Sequence, residues 1–596
     1  MVLDRTTKLR VRRIFRRRQK QVRVATTTAG QKFDNHFFDR LERLLDVQRF
    51  VIGWLFLVIS LVILTVLQTV GLTQYHTKLG PVAGGVYHEG MVGVYSNANP
   101  IYATGPVDTS VSRLLFAGLF KYDDANELVG DLASRYEVDE SGRTYTVHLK
   151  PNLSWHDGAK LTSQDVVFTY QLIQNPDVKS PLLYSWQGIA VSAPDPNTVV
   201  FRLPNALTAF PYGLTTGIIP SHILKPVPVR QLRTASFNTV KPVGSGPFTW
   251  DTLQLGSDTV GADELTLIAL KRFDKYAGGA PLLDGFVLHV YEDEDTMLAA
   301  YKKRTIQAMA GLKTLSEDIV NDESSYVYAM PTTAATMVFF KTTQAPFDDG
   351  AVRKALAQAV DQPAILAKLG QKHLPVREPF LASQKPYYDK AYEQFGYDPK
   401  AAAALLDQAG WQKNKDGKRA KNGQLLTVQI LAEDTPDNLK TLALLKGYWS
   451  AVGVTTQIIP APLADFQSSL ETHSYSALLY GISIGPDPDV FVYWDSSQSD
   501  PRSPNRLNFS EYKSAAADAA LESGRTRQDT VVRALKYASF LKAWRDDVPA
   551  FGLYQPNSLY VTRGAVAGLT DHTVNTGADR YYSVPAWSIT TGHIPK

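Results

Sequence analysis

At 596 residues, with no cysteine and a formal net charge of +4, the chain is too long for one compact core and has no disulfide, thiolate, iron–sulfur or cysteine-ligated zinc chemistry. Its 44% hydrophobic and 20% charged residues exclude wholesale disorder. The charge is unevenly placed: the first 49 residues carry 14 Lys and Arg against 5 Asp and Glu, a local +9, which leaves −5 for the remaining 547.

The basic tail, RVRRIFRRRQK at its centre, precedes an uncharged stretch from Phe50 to Leu67, FVIGWLFLVISLVILTVL, and no charge follows before Lys78. About 20 such residues at ~1.5 Å each cross a hydrocarbon layer of roughly 30 Å. Residues 50–72 are therefore expected to form an uncleaved transmembrane helix. A cleavable signal peptide is the competing reading, but its apolar core is shorter and its charged leader does not run to nearly fifty residues. Arg10, Arg12, Arg13, Arg16, Arg17, Arg18, Lys20 and Arg23, with Arg40, Arg43 and Arg49 closer in, put residues 1–49 in the cytoplasm and the body outside. The same arginines suit anionic lipid headgroups or nucleic acid. No interleaved aromatic pattern supports nucleic acid, and a topology determinant is the preferred reading. Without a lipobox cysteine, any tether comes from the polypeptide itself.

Gly80, Pro81, Gly84 and Gly85 mark 73–85 as a linker, followed by a strand-like GVYHEGMVGVYS. Arg143–Lys150 alternates strictly, with Tyr145, Val147 and Leu149 on one face, and reads as a half-buried strand. Thr162 and Asp165 form a capping-box pattern ahead of Val166, Val167, Tyr170 and Ile173. A helix is expected from about Ala351 to Leu369 on the face of Val352, Ala355, Leu356, Ala359 and Val360. Asp398-Pro399 opens another, with Leu405 and Leu406 inside and Gly410 as the stop. Helices and strands alternating at this density indicate an α/β protein.

The common metal and phosphate-loop signatures are missing. No two of the eleven histidines lie three to five residues apart, and GxxxxGK[ST] does not occur. Pro247 blocks the helix start a phosphate cradle would need after Gly244-Ser245-Gly246. Glu292–Asp295 lacks EF-hand spacing and reads as a solvated face. The sequence points to no enzyme, no cofactor and no metal.

Six segments in order resemble the family 5 extracellular solute-binding proteins, the dipeptide-, oligopeptide- and nickel-binding receptors of ABC importers. They are Leu128–Gly158 (LVGDLASRYEVDESGRTYTVHLKPNLSWHDG) with its following AKLTSQDVVFTYQ, Pro242–Phe248 (PVGSGPF), Phe347–Leu366, Tyr397–Trp411 (YDPKAAAALLDQAGW), Gly485–Phe491 (GPDPDVF) and Val548–Gln555 (VPAFGLYQ). The resemblance implies a two-lobed periplasmic-binding-protein fold of class II type with an extra subdomain. The large lobe would be 86–121, 218–330 and 551–596, the inserted subdomain 122–217 and the second lobe 331–550. Crossings are expected near Tyr328–Pro331 and Phe551–Tyr554. It also implies capture of a peptide or similar small polar solute for an ABC permease and its ATPase subunit. The other readings are a sensor signalling through the helix and, further off, a surface hydrolase.

By the same resemblance, Trp155, Gly158 and Asp165 fix a turn and a helix start, and Arg353 is an ion-pair partner. The strand before the DPD segment lines the cleft, which makes Tyr480, Gly481, Ile482 and Ser483 expected ligand contacts, with Ile484, Asp487, Asp489 and Trp494 beside them. Asn97 and Asn99, in the loop Ser96–Tyr102, are expected to face them from the large lobe. Peptide-binding members carry an aspartate three residues before the DP aspartate, here Asp487, to pair with the peptide α-ammonium. This chain has Ile484 there, and isoleucine cannot neutralise a buried cation. Free-N-terminal peptides then require Asp489 or another acid, and a sugar or modified peptide becomes the alternative ligand. Restoring the acid by Ile484→Asp is expected to create or strengthen binding of free-amine peptides.

Overall fold

Thr144–Leu149 alternates between half-buried and buried side chains, with Tyr145, Val147 and Leu149 inward, as its sequence dictates. It is the second strand of an antiparallel sheet ordered Ala133–Val138, Thr144–Leu149, Thr198–Arg202 and Ala190–Asp195, which forms the core of the inserted segment. This is a computed structural model describing residues 48–256, 264–370, 372–503 and 506–595, together with positions 13, 16 and 17. The tail motif Arg10–Arg23 otherwise lies outside the described residues.

Two compact units are present, Met1–Gly80 with Thr591–Lys596, and Pro81–Thr590. In the first, the helix Gln48–His76 contains an apolar span, Phe50–Thr69, of which nothing is buried, long enough to cross a membrane. The expected linker is corrected here. The helix runs through 73–76, and Thr77–Val82 is a strand paired with the C-terminal strand Thr590–Pro595; Thr77 Oγ1 lies 3.1 Å from His593 Nδ1.

The second unit is built on two large sheets. Seven strands run in the order Ser325–Pro331, Asn557–Arg563, Ala308–Leu312, Val86–Val92, Gly285–Tyr291, Glu264–Arg272, Phe248–Leu255, with Val86–Val92 parallel to both neighbours. Behind them Glu89, fully buried, is bonded to Arg580, to the Tyr581 hydroxyl at 2.5 Å and to the Tyr560 hydroxyl at 2.7 Å, so the buried acid is paired and saturated. The other sheet has six strands, Leu374–Pro375, Ala550–Gln555, Ala334–Phe340, Ala477–Ser483, Thr427–Glu433 and Thr455–Ala461. Its central strand reads AATMVFF without alternation because both faces are covered. Val338 and Phe340 pack with Leu356 and Trp449 on one side, and Met337 and Phe339 with Trp494 and Trp544 on the other.

Among the described residues the chain passes between these two sheets near 332–333 and 556. Ser325–Pro331 belongs to the first and Ala334–Phe340 to the second, so the outward crossing is Thr332-Thr333. Ala550–Gln555 belongs to the second and Asn557–Arg563 to the first, which moves the return crossing from the expected Phe551–Tyr554 to Pro556. The crossings are bonded together: Thr332 N and Oγ1 both donate to Pro556 O at 2.9 Å, and Gln555 Nε2 donates to Thr332 O at 2.8 Å.

Local cues held elsewhere. Thr162 and Asp165 make the capping box of Ser163–Gln174, and Asp398 caps Pro399–Gln408. The expected helix 351–369 is two helices, Gly350–Gln358 and Gln362–Leu369. The apolar period continues across the break, but Asp361 caps the amide of Ala364 and Pro363 has no N–H to extend the first helix.

Candidate functional site

Where the inserted segment, the outward crossing and the second lobe meet, they enclose a cavity of about 200 Å³. Asn126, Glu127 and Tyr212 line it from the inserted segment, Thr333 from the crossing and Thr573 from the large lobe. Ser383, Gln384, Lys385, Tyr387, Pro486, Asp487, Pro488 and Thr530 line it from the second lobe. The lining is polar, with hydroxyls, amides and both signs of charge, the composition of a site for a small polar solute.

Short hydrogen bonds hold the walls. Asn575 Nδ2 donates to Asn126 Oδ1 at 2.8 Å, and Thr333 Oγ1 donates to Asn575 Oδ1 at 2.8 Å. The amides of Ile484 and Gly485 donate to Thr333 O at 2.9 and 3.0 Å, joining the segment before the DPD motif to the crossing. Gln384 Nε2 donates to Gly485 O at 2.9 Å. Away from the crossings the inserted segment touches the second lobe again. Thr208 N donates to Arg525 O at 3.1 Å, Thr208 Oγ1 to Arg527 O at 2.9 Å and Gln528 Nε2 to the Tyr145 hydroxyl at 3.0 Å.

The two DPD acids are already neutralised. Asp487 receives Arg533 at 2.6 and 2.5 Å, and Arg533 stacks over Tyr387 and Tyr537. Asp489 receives Arg525 Nη2 at 2.9 Å while burial lifts its carboxyl above the usual range against that guanidinium. Burial, and then the charges of Asp487 and Glu127, push the Tyr212 phenol well above its ordinary value.

Of the expected ligand contacts, Asp487 alone lines this cavity. Along Ala477–Ser483 the side chains alternate: Ile482, and Ile484 beyond it, point into an apolar cluster at 2% and 5% exposure, while Gly481 and Ser483 are exposed. Tyr480 is half-buried against Phe466 and Phe509. Ile484 therefore does not occupy an anchoring position facing the cavity; it is core. Trp494 is core as well, stacked on Phe339 and edge-on to Trp544 with centroids 5.7 Å away in each case. Asn97 and Asn99 shape their own loop: Asn97 Oδ1 accepts the Asn99 amide, and buried Asn99 donates to Asn238 Oδ1 at 3.0 Å. Among the described residues Arg353 forms no side-chain ion pair; it donates to the carbonyls of Phe347, Asp547 and Val548 at 2.5–3.1 Å, where the helix Thr530–Asp547 ends.

The matched motifs serve the scaffold. His156, from the WHDG turn, accepts the Gly244 amide on Nδ1 and donates from Nε2 to Gly246 O, both at 3.1 Å. A Cβ on Gly244 or Gly246 would collide with the backbone of Leu115, which is why glycine stands at both. Glu127, Lys385, Tyr387 and Tyr212 were not legible as site residues; they stand outside or at the edges of the motifs. Among the described residues no group of three or more His, Asp or Glu is placed to hold a metal ion.

Residues 127–525 match the family described as bacterial extracellular solute-binding proteins, family 5 middle. The oligopeptide-binding protein AppA of Bacillus subtilis is 27% identical over 503 residues, 80% of this chain and 87% of AppA. The fold is similar to that of NikZ from Campylobacter jejuni in complex with Ni(L-His), at 24% identity and TM-score 0.67, covering 84% of this chain and 99% of that one. It is similar also to AppA from Bacillus subtilis in complex with a nonapeptide, at 23% identity and TM-score 0.66, covering 86% of this chain and 100% of the other. The architecture is the α/β fold of periplasmic binding proteins.

Proposed function

The chain belongs to the bacterial extracellular solute-binding proteins of family 5, and from that membership we propose that it captures a peptide or similar small polar solute for an ABC importer. It is a binding protein, not an enzyme. The observation that carries the reading is the polar cavity enclosed between the inserted segment, Thr333 and the second lobe. Solute enters an open cleft, the lobes rotate about Thr332-Thr333 and Pro556, and the wall residues exchange their water for ligand hydrogen bonds. The lobes of this reading are 86–121 with 218–331 and 557–590, the insert 122–217, and the second lobe 334–555. The closed form then docks on a permease whose ATPase subunit supplies the energy, since this chain has no phosphate loop of the GxxxxGK[ST] type.

The apolar span Phe50–Thr69 anchors the receptor, with the basic tail in the cytoplasm and the binding body on the outer face. Tethering raises the receptor's effective concentration at the permease. Because the chain has no cysteine, single cysteines introduced at Thr26 and at Ser141 report topology cleanly. An impermeant maleimide should label Ser141→Cys in intact cells and Thr26→Cys only after lysis; the reverse pattern sinks the orientation.

The ligand test is native mass spectrometry of the full chain in detergent micelles, before and after denaturation. A released peptide is the expected result. A sugar or a metal chelate would keep solute capture and remove peptides. No bound species, together with a lobe separation unchanged across a panel of peptides, would overturn the reading.

A further inference from the structure

Three charged residues line the cavity, and one of them is spent. Asp487 is held at two points by Arg533, which leaves Glu127 on the inserted segment and Lys385 on the second lobe. Neither makes an ion pair among the described residues, and both keep exposed side chains. They sit on opposite walls, one on each body that closure brings together. Tyr212, its phenol raised by burial and then by the charges of Asp487 and Glu127, lines the same space.

An anion on one wall and a cation on the other set a demand on the occupant. Closing the cavity removes water from both, and a charge stripped of water without a partner is costly. A neutral sugar would leave both uncompensated, and an N-blocked peptide would leave Glu127 so. A small zwitterion satisfies both, and its two ends then tie one lobe to the other. We propose that Glu127 is the anchor for the ligand's ammonium and Lys385 the anchor for its carboxylate. The substrate class is accordingly short peptides, or amino-acid-like solutes, with both termini free. This rests on the solute-capture reading and names the charge pattern of its ligand.

The test uses the full chain in detergent micelles and three probes: trialanine, N-acetyl-trialanine and trialanine amide, each titrated by calorimetry. Wild-type protein should bind trialanine about tenfold or more tighter than either capped form. Glu127→Gln should bring trialanine and N-acetyl-trialanine to equal affinity while keeping the preference over the amide. Lys385→Gln should do the converse. Both positions are exposed, so the variants should keep the wild-type circular dichroism and melting temperature. Equal binding of the three probes by wild type, or an undiminished free-amine preference in Glu127→Gln, overturns the assignment. If none of the probes binds while native mass spectrometry finds a neutral solute in the protein, the zwitterion assignment falls and solute capture stands.

Discussion

Asp487 and Arg533 meet at two points, 2.6 and 2.5 Å, with side-chain exposures of 8% and 1%. The pair fastens the DPD segment to the helix Thr530–Asp547 beneath it, so the aspartate most visible in the motif holds the cavity wall in place. Arg533 has almost no access to solvent, and its Nε has no partner among the described residues. Removing Asp487 therefore strands a buried cation.

Asp487→Ala should lower unfolding stability by about 3–5 kcal/mol in urea titrations of the full chain. The double variant Asp487→Leu with Arg533→Met should recover most of that, because both charges then leave together. A single variant within roughly 1 kcal/mol of wild type would mean that water reaches the pair and screens it.

Ile484→Asp makes the opposite prediction from the one its sequence position suggests. Ile484 is 5% exposed in a cluster with Ile482, Val490 and Trp494, and its amide is bonded to Thr333 O. A carboxylate there enters apolar surroundings with no cation placed to receive it, a cost of roughly 3 kcal/mol or more. The variant should melt well below wild type and gain no affinity for trialanine. A gain in affinity at unchanged stability would return position 484 to the ligand site.

What could be read from sequence was local. Strand alternation at Tyr145, Val147 and Leu149, the caps at Thr162 and Asp398, and the shared motifs depend on residues within one turn or one strand, so the fold class and its two-lobed plan were legible. The strand Thr77–Val82 was not, because it exists through pairing with Thr590–Pro595 at the far end of the chain. The cleft failed for the same reason. Closeness in sequence to the DPD segment does not say which face a residue presents, and the alternation that exposes Gly481 and Ser483 buries Ile482 and Ile484. Glu127 and Lys385 line one cavity only because separate segments converge at Thr333.

His156 gives a pH signature. Burial pulls its imidazole down to about 4, so the folded protein holds it neutral, accepting on Nδ1 from Gly244 and donating from Nε2 to Gly246. A base whose folded value lies below its unfolded value, near 6.5, contributes stability fully above 6.5 and loses it as pH falls toward 4. Calorimetric melting temperatures should drop through that window. His156→Gln should start lower at pH 7, having lost the turn's fixed geometry, and decline less steeply between 6.5 and 4. A variant as steep as wild type assigns the acid loss to other groups.

Glu378 acts in the other direction. It is fully buried, its Oε1 accepts the Asp389 amide at 3.2 Å, and its Oε2 has no partner among the described residues. Burial, reinforced by the nearby charges of Asp389 and Glu393, pushes its carboxyl up to about 9. The folded state thus holds a proton that the unfolded chain gives up near 4.5. Between those values the native form binds more protons, so stability falls as pH rises from about 4.5 to about 9. Glu378→Gln keeps the shape and the neutral state without the proton. Its melting temperature should exceed that of wild type at pH 8 to 9 and approach it near pH 5, and the slope between should flatten. The segment from Glu378 to Asp389 also carries Ser383, Gln384, Lys385 and Tyr387 into the cavity, so from pH 7 to 9 the same variant should lose trialanine affinity less steeply than wild type, the ligand's own α-amino group titrating alike in both. Parallel melting curves for the two proteins across the range would show that the carboxyl is ionised in the folded state and that water reaches it.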